Sequence, residues 1–522
     1  MFEAQRLWNF RIGAFADHFR YQYAITNEPE HIDGFHTLQC GTLHVTVGSK
    51  LPACKLTDKN GQNIGMVLGI AVSETALLEP TTAQLPLDAG SPEFWDDFEH
   101  YIVSVAGRFA FIMHHGAETR LYTDPVGIIG AVYNPEEKIA AASTLMAMKR
   151  PHIPNPKFDL SAVQEKGGKI PLFHTSDAVV KRLNPNYYLD LNSFTCHRFW
   201  PRDEDFSTPP DNPIGVYEEI AERAAFNIGA IARHSPCAMP VTGGQDSRLL
   251  LAFAKPHRTD IDLFYTHFQN YASQRDAVIG KALCDAAGVA HEAHEPNDFA
   301  LNRKDLRLRK RAYQLTSGFG GPLPREHQDN SVSGVPEGHV ILRGHLTDLL
   351  RAVFVFRKKA HWRKADWQIE RLLIVPRKEF NKDIADQFRD EFHAWQSTLP
   401  DTAMDKAADF MFLELYYNAS VGMSFPALWR NFYLSPFNSR KLIALSLQFS
   451  EAARRKSLPV VDMIEMLDPP LSGVPFDFEL EGGIQELKTK VKDASLTHSR
   501  RKETQRRLAS YAPTRSQMTL TA

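Results

Sequence analysis

The sequence predicts an α/β protein in two parts: a β-rich, α+β N-terminal part and a C-terminal part built on a parallel sheet. Residues 42–199 contain short β-branched or aromatic segments separated by Gly, Pro, Asn or Asp, a pattern typical of antiparallel strands. Residues 213–294 instead alternate helical and strand patterns, which indicates a doubly wound parallel sheet. A length of 522 residues is enough for two or three domains.

Composition excludes several classes of protein. Hydrophobic residues make up 43% of the chain, and the net charge of −2 gives no reason to expect nucleic acid or an acidic membrane as the main partner. The five cysteines are scattered and never form a C-x-x-C pair, which argues against a disulfide framework or a cysteine zinc site. Apolar runs such as residues 66–72 are too short to span a bilayer. We therefore expect a soluble, cytoplasmic protein.

The N-terminal part is predicted from its local patterns. A hairpin is expected around Asn192 and Ser193, formed by residues 187–191 and 195–199. Helices are expected at residues 92–100 and 144–148. The other predicted strands are residues 42–47, 66–72, 101–105, 109–114 and 131–133.

A polar, proline-rich linker at residues 201–212 separates the two parts. Asn212 and Pro213 are an N-cap and a first helical residue, and the apolar spacing after them predicts an amphipathic helix through residue 233. The segments that follow are predicted as strands at 237–241, 262–267 and 289–294, and as helices at 247–254 and 273–287.

The stretch Pro240–Phe253 leads from a strand through a double glycine into a helix. Gly243 and Gly244 allow close backbone approach, and the helix N-terminus attracts phosphate oxygens. Thr242 and Ser247 supply hydroxyl groups, and Asp246 supplies a carboxylate for Mg²⁺. An ordinary strand-to-helix turn capped by the serine explains the same spacing, so both interpretations stay open at this point.

A second strand, residues 340–342, leads into Gly344 and then into Thr347 and Asp348. Two carboxylates from neighbouring strand ends suit a hard cation that bridges phosphates, so Asp246 and Asp348 form the predicted metal pair. Alternatively, Asp348 caps a helix that begins at Leu349. The presence of the first loop favours the metal interpretation.

These motifs resemble those of the asparagine synthetase and β-lactam synthetase family. The first loop, Thr242–Ser247, is similar to its Ser-Gly-Gly-x-Asp-Ser loop, and the continuation is matched by Asp276, Ala282, Gly288 and His291. Further landmarks stand in the family's order at residues 107–111, 124–127 and 184–189. The resemblance implies a glutaminase-like sandwich of two antiparallel sheets at residues 1–200 and an ATP-pyrophosphatase domain at 213–480. The basic and polar composition of residues 481–522 indicates a solvated tail, with one exposed helix within residues 486–515 as the alternative.

The resemblance also implies an activity, namely an ATP-dependent ligase that adenylates a carboxylate and passes the acyl group to an amine. Its cofactors would be ATP and Mg²⁺. Its partners would be a small-molecule or peptide carboxylate and an amine, and the formation of a homodimer stays an open possibility. The residues expected to bind ATP and pyrophosphate are Thr242, Gly243, Gly244, Asp246, Ser247, Arg248, Gly344 and Thr347.

Three catalytic residues are expected from the same resemblance. His345 takes the place of an acidic residue or a tyrosine and would deprotonate the amine, with Glu414 as its partner. Lys456 takes the place of a late lysine that stabilises the adenylate and the leaving pyrophosphate. A solvated histidine, a solvent-facing helix residue and an ordinary surface lysine are the alternatives.

The chain departs from the family at its second residue. Members that hydrolyse glutamine have a cysteine there, whereas this sequence has Phe2, so we expect no glutamine hydrolysis. The changes at Arg248, His345 and Leu346 keep a second hypothesis open, that of a degenerate homologue that binds a nucleotide or a partner protein. A weaker third hypothesis is transfer of the adenylate to another acceptor, such as a tRNA base.

Overall fold

The computed structural model describes residues 1–78, 80–166, 169–206, 208–268, 271–353, 365–373 and 382–511. Within these ranges the protein is a mixed α/β structure with three sheets, of six, seven and five strands. None of the helices in the described ranges is long and apolar enough to cross a membrane.

The N-terminal part contains four helices and thirteen strands among its described residues. The helices are α1 Glu3–Leu7, α2 Phe15–Phe19, α3 Phe94–Ser104 and α4 Leu160–Lys166, with short 3₁₀ helices at Phe10–Ile12 and Thr144–Met146. The strands are β1 Tyr23–Thr26, β2 Phe35–Cys40, β3 Leu43–Gly48, β4 Ala53–Thr57, β5 Asn63–Val72, β6 Thr82–Gln84, β7 Ala106–His115, β8 Glu118–Thr123, β9 Val132–Asn134, β10 Ile139–Ala141, β11 Lys181–Arg182, β12 Tyr187–Asp190 and β13 Cys196–Arg198.

Two sheets form from these strands. One has the order β11-β9-β10-β1-β3-β2 and is antiparallel throughout, and the other has the order β13-β12-β8-β7-β5-β4-β6, in which β4 and β6 alone are parallel. Side chains from both sheets, such as Val45 and Val67, belong to one buried apolar cluster. The strands β3, β5 and β7 are buried along nearly their whole length, so both faces of these strands are covered.

The predicted strand at residues 101–105 is wrong, because Tyr101 to Ser104 complete α3. Its β-branched composition suggested a strand, but Phe94, Phe98 and Ile102 recur at helical spacing and are all buried. Burial of this apolar stripe decides the local conformation over the weaker β propensity of the segment.

The C-terminal part contains fifteen helices and five strands among its described residues. The helices are α5 Pro213–Ala232, α6 Gln245–Phe253, α7 Tyr271–Ala287, α8 Arg303–Thr316, α9 Arg325–Gln328, α10 Ala365–Leu373, α11 Lys382–Gln396, α12 Ala407–Phe410, α13 Val421–Ala427, α14 Arg440–Gln448, α15 Glu451–Arg455, α16 Leu458–Leu467, α17 Pro469–Ser472, α18 Ile484–Lys490 and α19 Ser495–Tyr511. The strands are β14 Cys237–Pro240, β15 Leu263–His267, β16 Glu292–His294, β17 Val340–Leu342 and β18 Phe432–Leu434.

Shorter helical turns connect these elements. They are 3₁₀ helices at Lys255–Asp260, Pro296–Phe299, Ser331–Gly334, Thr347–Arg351, Asp401–Lys406 and Asp477–Glu479, and a π-helix at Met411–Tyr417. The π-helix directly follows α12, so the helical geometry changes at Met411 within one continuous segment.

The third sheet is parallel, in the order β16-β15-β14-β17-β18. The chain proceeds from β14 to β15 and β16 on one side and then returns to place β17 and β18 on the other. The strand order therefore reverses between β14 and β17. In open α/β sheets the crevice at such a reversal, outside the carboxyl ends of the strands, is where ligands bind.

A buried polar interface joins the two parts of the chain. The Asn438 side-chain amide donates to the Asp124 carboxylate at 2.9 Å and to the Gly107 carbonyl at 2.7 Å. Arg440 is fully buried and donates to the carbonyls of Thr123 and Pro185 at 2.9 and 2.6 Å. The polar groups of the segment that contains Asn438 and Arg440 therefore hold the two parts together.

The C-terminal segment is helical and folds against the protein as far as residue 511, so α18 and α19 form a docked pair of helices and not a solvated tail. Thr497 and Thr504 are buried, and three arginines of α19 face acidic partners. The ion pairs are Arg500 with Glu479, Arg501 with Glu465 and Arg507 with Asp462. The sequence pattern showed the basic residues but not the carboxylates that lie opposite them; residues 512–522 lie outside the described ranges.

Candidate functional site

The first loop connects β14 to α6 and is held by its own polar groups. The Gly243 amide donates to Asp276 at 2.9 Å, and the Thr242 amide donates to the Ser247 hydroxyl at 3.0 Å. The hydroxyl groups of Thr242 and Ser247 are 2.9 Å apart. Gly244 is the N-cap of α6, so the first helical N–H groups follow directly after it and point out of the helix N-terminus.

The second loop connects β17 to the 3₁₀ helix at Thr347–Arg351 and contacts the first loop directly. A Cβ atom at Gly344 would lie 2.9 Å from the backbone of Asp246, so a side chain there would force the loops apart. The Thr347 hydroxyl is buried and bonded to the Asp246 carboxylate at 3.1 Å and to the Gly344 carbonyl at 2.7 Å. Gly344 and Thr347 thus set the distance between the two loops.

Asp246 and Asp348 are brought together, as the sequence predicted. Arg351 Nη2 donates to Asp246 at 2.5 Å and to Asp348 at 2.8 Å, and the Tyr417 hydroxyl donates to the other oxygen of Asp348. Burial, together with the charge of Asp348, raises the pKa of Asp246. Two carboxylates at this separation repel each other, so the pair requires a positive group.

The carboxylate pair fits a divalent cation in charge and in donor chemistry. The positively charged side chain of Arg351 already lies within hydrogen-bond distance of both carboxylates. Mg²⁺ commonly takes one or two protein carboxylates and completes its shell with phosphate oxygens and water. The described residues contain no cluster of three or more His, Cys, Asp or Glu side chains that could hold a metal without such additional ligands.

A cavity of about 330 Å³ opens beside the pair at the carboxyl ends of β14, β15 and β17. Thr242, Asp246, Ser247, Gly344 and Asp348 line it, as do Thr266, His267, Glu326, Arg343 and His345. Its position is the crevice where the strand order reverses, and its lining is mostly polar.

His345 lines this cavity, but its environment makes it a weak base. Its ring packs edge-on against Tyr417 and Phe425, with centroids 5.7 and 5.5 Å away. Its Nδ1 atom is buried and has no hydrogen-bond partner among the residues described. Burial lowers the pKa of His345 to about 3, so the imidazole is neutral at physiological pH and accepts a proton poorly.

The structure places Glu414 away from His345, in the interface with the N-terminal part. Its carboxylate is fully buried and accepts hydrogen bonds from Asn184, Asn186 and Trp395 at 2.7 to 2.9 Å. It also forms a two-point ion pair with Arg198, at 2.7 and 2.9 Å. These donors occupy both carboxylate oxygens. Glu414 therefore connects the N-terminal and C-terminal parts of the chain.

Arg248 is also directed away from the cavity. It is fully buried and donates to the carbonyls of Val474 and Pro475 at 2.5 and 2.8 Å, and its guanidinium lies 4.0 Å from the Phe476 ring centroid. This position suits anchoring of the segment around Phe476, and phosphate binding by Arg248 receives no support from the geometry.

Lys456 lies on a second cavity that also includes Gln245 of the first loop and Arg351. The neighbouring Ser457 hydroxyl donates to the Gln245 side chain at 3.1 Å, which ties the turn before α16 to the loop. Lys456 is therefore beside the loop, and its role in stabilising phosphate charge stays a prediction.

Arg351 and Tyr417 are the site residues that sequence reasoning missed. Arg351 is a basic residue one helical turn after Asp348, a spacing that favours an ion pair and could have indicated it. Tyr417 belongs to the π-helix, whose geometry the apolar pattern of residues 408–420 does not reveal.

Comparison with known proteins does not identify a family for this chain. No family model matches the sequence, and no curated protein matches it. One similar solved structure is the U34-tRNA thiolase NcsA from Methanococcus maripaludis with its 4Fe-4S cluster, at 10% sequence identity and a TM-score of 0.21. The match covers 56% of this chain and 79% of that one. A likeness of this size carries no argument, so the site must be interpreted from its own chemistry.

Proposed function

We propose that the protein binds ATP at the carboxyl edge of the parallel sheet and uses it to adenylate a carboxylic acid. The observation that carries this proposal is the convergence of Asp246 and Asp348 on one positive group, from adjacent strand ends where the strand order reverses. The N-terminus of α6 beside them provides N–H donors for phosphate oxygens. Arg343 on the cavity wall adds a positive charge for the same anion.

In the proposed reaction an oxygen of the substrate carboxylate attacks the α-phosphorus of ATP. The bond between the α-phosphorus and the bridging oxygen breaks, and pyrophosphate leaves with its electron pair. Asp246 and Asp348 would hold Mg²⁺, which supplies positive charge to the phosphates when bound. Thr347 and Gly344 keep the two carboxylates at the required separation.

An amine then attacks the acyl carbon of the adenylate, a C–N bond forms, and AMP leaves as the C–O bond breaks. The amine loses one proton in this step, and that proton passes to solvent water. A pKa of about 3 makes His345 a poor acceptor for that proton, so we assign it to lining the cavity instead. The amine is either part of the same substrate or a separate molecule.

Glutamine is not the nitrogen source in this proposal. Phe2 is fully buried in an apolar cluster with Phe19 and Leu145. The thiols of Cys40 and Cys237 are buried as well, and burial raises the pKa of each to about 12, which keeps them protonated. Glutamate release from glutamine by the purified protein would contradict this part.

One observation favours a second candidate function, that of a protein that binds a nucleotide without turning it over. Arg351 already forms an ion pair with each of the two carboxylates, and a metal ion must displace it. If the ion pair persists with nucleotide bound, the chain is a binding protein. ATP would then bind, and neither AMP nor pyrophosphate would form with any acid.

Exchange of labelled pyrophosphate into ATP, measured across a panel of carboxylic acids, tests the proposal. We expect exchange that depends on one class of acid, and a loss of at least about 100-fold in Asp246→Asn and Asp348→Asn, because each removes charge that the phosphates require. Asp285→Asn is the matched control, since Asp285 is an exposed partner of Lys281 on α7. Full exchange by folded Asp246→Asn protein would refute the assignment.

A further inference from the structure

A second cavity, of about 700 Å³, reaches Gln245 and Arg351 beside the carboxylate pair and shares none of its described lining residues with the cavity described above. Gln245 and Arg351 form its inner end, the turn at Arg455–Leu458 forms one wall, and residues of α19 form another. Its volume suits a small-molecule ligand. Because Gln245 directly precedes Asp246 and Arg351 binds Asp246, the cavity reaches the proposed reaction centre.

The charge of this cavity is strongly positive. Among the described residues that line it, one is acidic, Glu503, and six are basic: Arg351, Arg371, Arg455, Lys456, Arg500 and Arg507. The carboxylates that pair with Arg455, Arg500 and Arg507 on α15, α16 and the 3₁₀ helix at Asp477–Glu479 are not part of the lining. An anion in the cavity therefore meets Arg455 and Arg500 without facing their partners, whereas Arg507 has a second partner, Glu503, in the lining at 3.8 Å.

Lys456 is available to such an anion. Its amino group has no hydrogen bond or ion pair with any part of the chain that the structure describes, although it stands between Arg455 and the Gln245-bonded Ser457. Lys456 is exposed at the mouth of the cavity. A lysine beside other cations that has no acidic partner among the described residues is poised to receive a negatively charged ligand.

Two aromatic residues line the cavity next to its basic residues. Phe476 and Phe478 both line the cavity and stack on each other, with ring centroids 5.3 Å apart and planes at 13°. The Arg500 guanidinium lies 4.5 Å from the Phe476 centroid, which fixes that ring, whereas 67% of the Phe478 surface is exposed. An exposed phenylalanine on a fixed ring offers a stacking surface for a flat apolar group.

We propose that this cavity binds the acid that the proposed adenylation activates, and that this acid carries a second negative charge and a flat apolar ring. This inference rests on the proposed function. The reacting carboxylate lies at the Gln245 and Arg351 end, the second anionic group binds Lys456, and the ring stacks on Phe478. The nucleotide occupies the smaller cavity, which Asp246 lines.

Three probes test the inference by calorimetric titration of the full-length protein. Benzene-1,3,5-tricarboxylate has both the ring and the charges, propane-1,2,3-tricarboxylate has the charges without the ring, and benzoate has the ring with one charge. We expect the first probe to bind tightest. Lys456→Gln should weaken it by about tenfold, since a hydrogen bond between charged groups is lost, and Phe478→Leu by about threefold to tenfold.

Lys488→Gln on α18 and Phe10→Leu are the matched controls, since both residues are exposed and neither lines the cavity. Equal binding of the three probes, no binding, or binding that Lys456→Gln and Phe478→Leu leave unchanged would overturn the inference. So would displacement of the tricarboxylate by a non-hydrolysable ATP analogue, because the cavity would then belong to the nucleotide. If the probes bind as expected and no acid supports pyrophosphate exchange, the adenylation fails and the anion site remains.

Discussion

Asp246 and Asp348 accept hydrogen bonds from the same nitrogen atom, Nη2 of Arg351, at 2.5 and 2.8 Å. The two carboxylates stand on different loops, 102 positions apart in the chain, and a guanidinium group joins them. The pair is therefore assembled before any ligand arrives, and one positive charge offsets part of its negative charge. Binding of a metal ion must compete with this internal cation.

Removal of that cation should strengthen metal binding. We expect Arg351→Gln to bind Mn²⁺, used as a probe for Mg²⁺, at least about tenfold more tightly in the absence of nucleotide, since one charged hydrogen bond is worth about 1.5–3 kcal/mol. Titration followed by electron paramagnetic resonance measures this affinity. Arg389→Gln, which removes an arginine paired with Asp366 and Asp386 on helices α10 and α11, should leave it unchanged. Equal Mn²⁺ affinity in Arg351→Gln would contradict the competition.

Arg248 should affect stability and not nucleotide affinity. Arg248→Lys cannot reproduce the forked contacts with the Val474 and Pro475 carbonyls, so we expect a loss of about 1.5–3 kcal/mol in unfolding free energy. Urea unfolding measures that loss, and fluorescent ATP-analogue binding at low temperature should show the wild-type affinity. Arg303→Lys, at an exposed position that begins α8, is the control for stability. Weaker nucleotide binding by a fully folded Arg248→Lys protein would restore the phosphate role predicted from sequence.

The parallel sheet and its two loops could be predicted because their signals are local. An apolar run followed by glycine and a hydroxyl or acidic residue identifies a strand end, as at Val241–Gly243 and Leu342–Gly344, and parallel strands bring their carboxyl ends to one edge. Asp246 and Asp348 follow from this pattern. Arg248 follows the same loop directly. Its side chain contacts residues 474–476, which lie more than 220 positions later in the chain, so the local pattern does not predict its direction.

Glu414 shows why other roles could not be predicted. Its partners Asn184, Asn186 and Arg198 lie 216 to 230 positions earlier in the chain, in the other part of the molecule. The local sequence shows one acidic residue, Glu414, among apolar neighbours. It does not indicate which part of the chain packs against that residue. Glu414 also lies in the π-helix. Because a π-helix has more residues per turn than an α-helix, a different set of residues shares its face from the set that an α-helical pattern predicts.

Glu414 should be among the residues most important for stability. Glu414→Gln breaks a buried ion pair and turns an amide group toward donors, so we expect a loss of about 3–5 kcal/mol in unfolding free energy at neutral pH. Glu219→Gln, an exposed partner of Lys441, should cost less than about 1 kcal/mol. Denaturant unfolding of both variants measures the difference, and equal small losses would contradict a buried role.

The contribution of Glu414 should also depend on pH. Desolvation alone would raise the pKa of Glu414, but Arg198 and the surrounding donors lower it, and the net shift is downward. A depressed folded-state pKa gives stability that is present above the unfolded-state value of about 4.3 and is lost as the pH falls through the folded-state value. The gap in stability between wild type and Glu414→Gln should therefore be constant near neutral pH and shrink below about pH 4.3. A constant gap at all pH values would contradict this linkage.

Docking of α19 on α16 predicts energetic coupling between Arg501 and Glu465. The guanidinium meets the carboxylate at 3.0 and 3.2 Å, and Glu465 is 5% exposed. In a double-mutant cycle of Arg501→Gln and Glu465→Gln, measured by denaturant unfolding, we expect a coupling of about 1 kcal/mol, because the pair is two-point and partly buried. The pair Lys490–Glu486 on the exposed face of α18 is the control and should give about 0.3–0.5 kcal/mol. A coupling near zero for Arg501 and Glu465 would mean that α19 is detached in solution, and the basic cavity would then lose one of its walls.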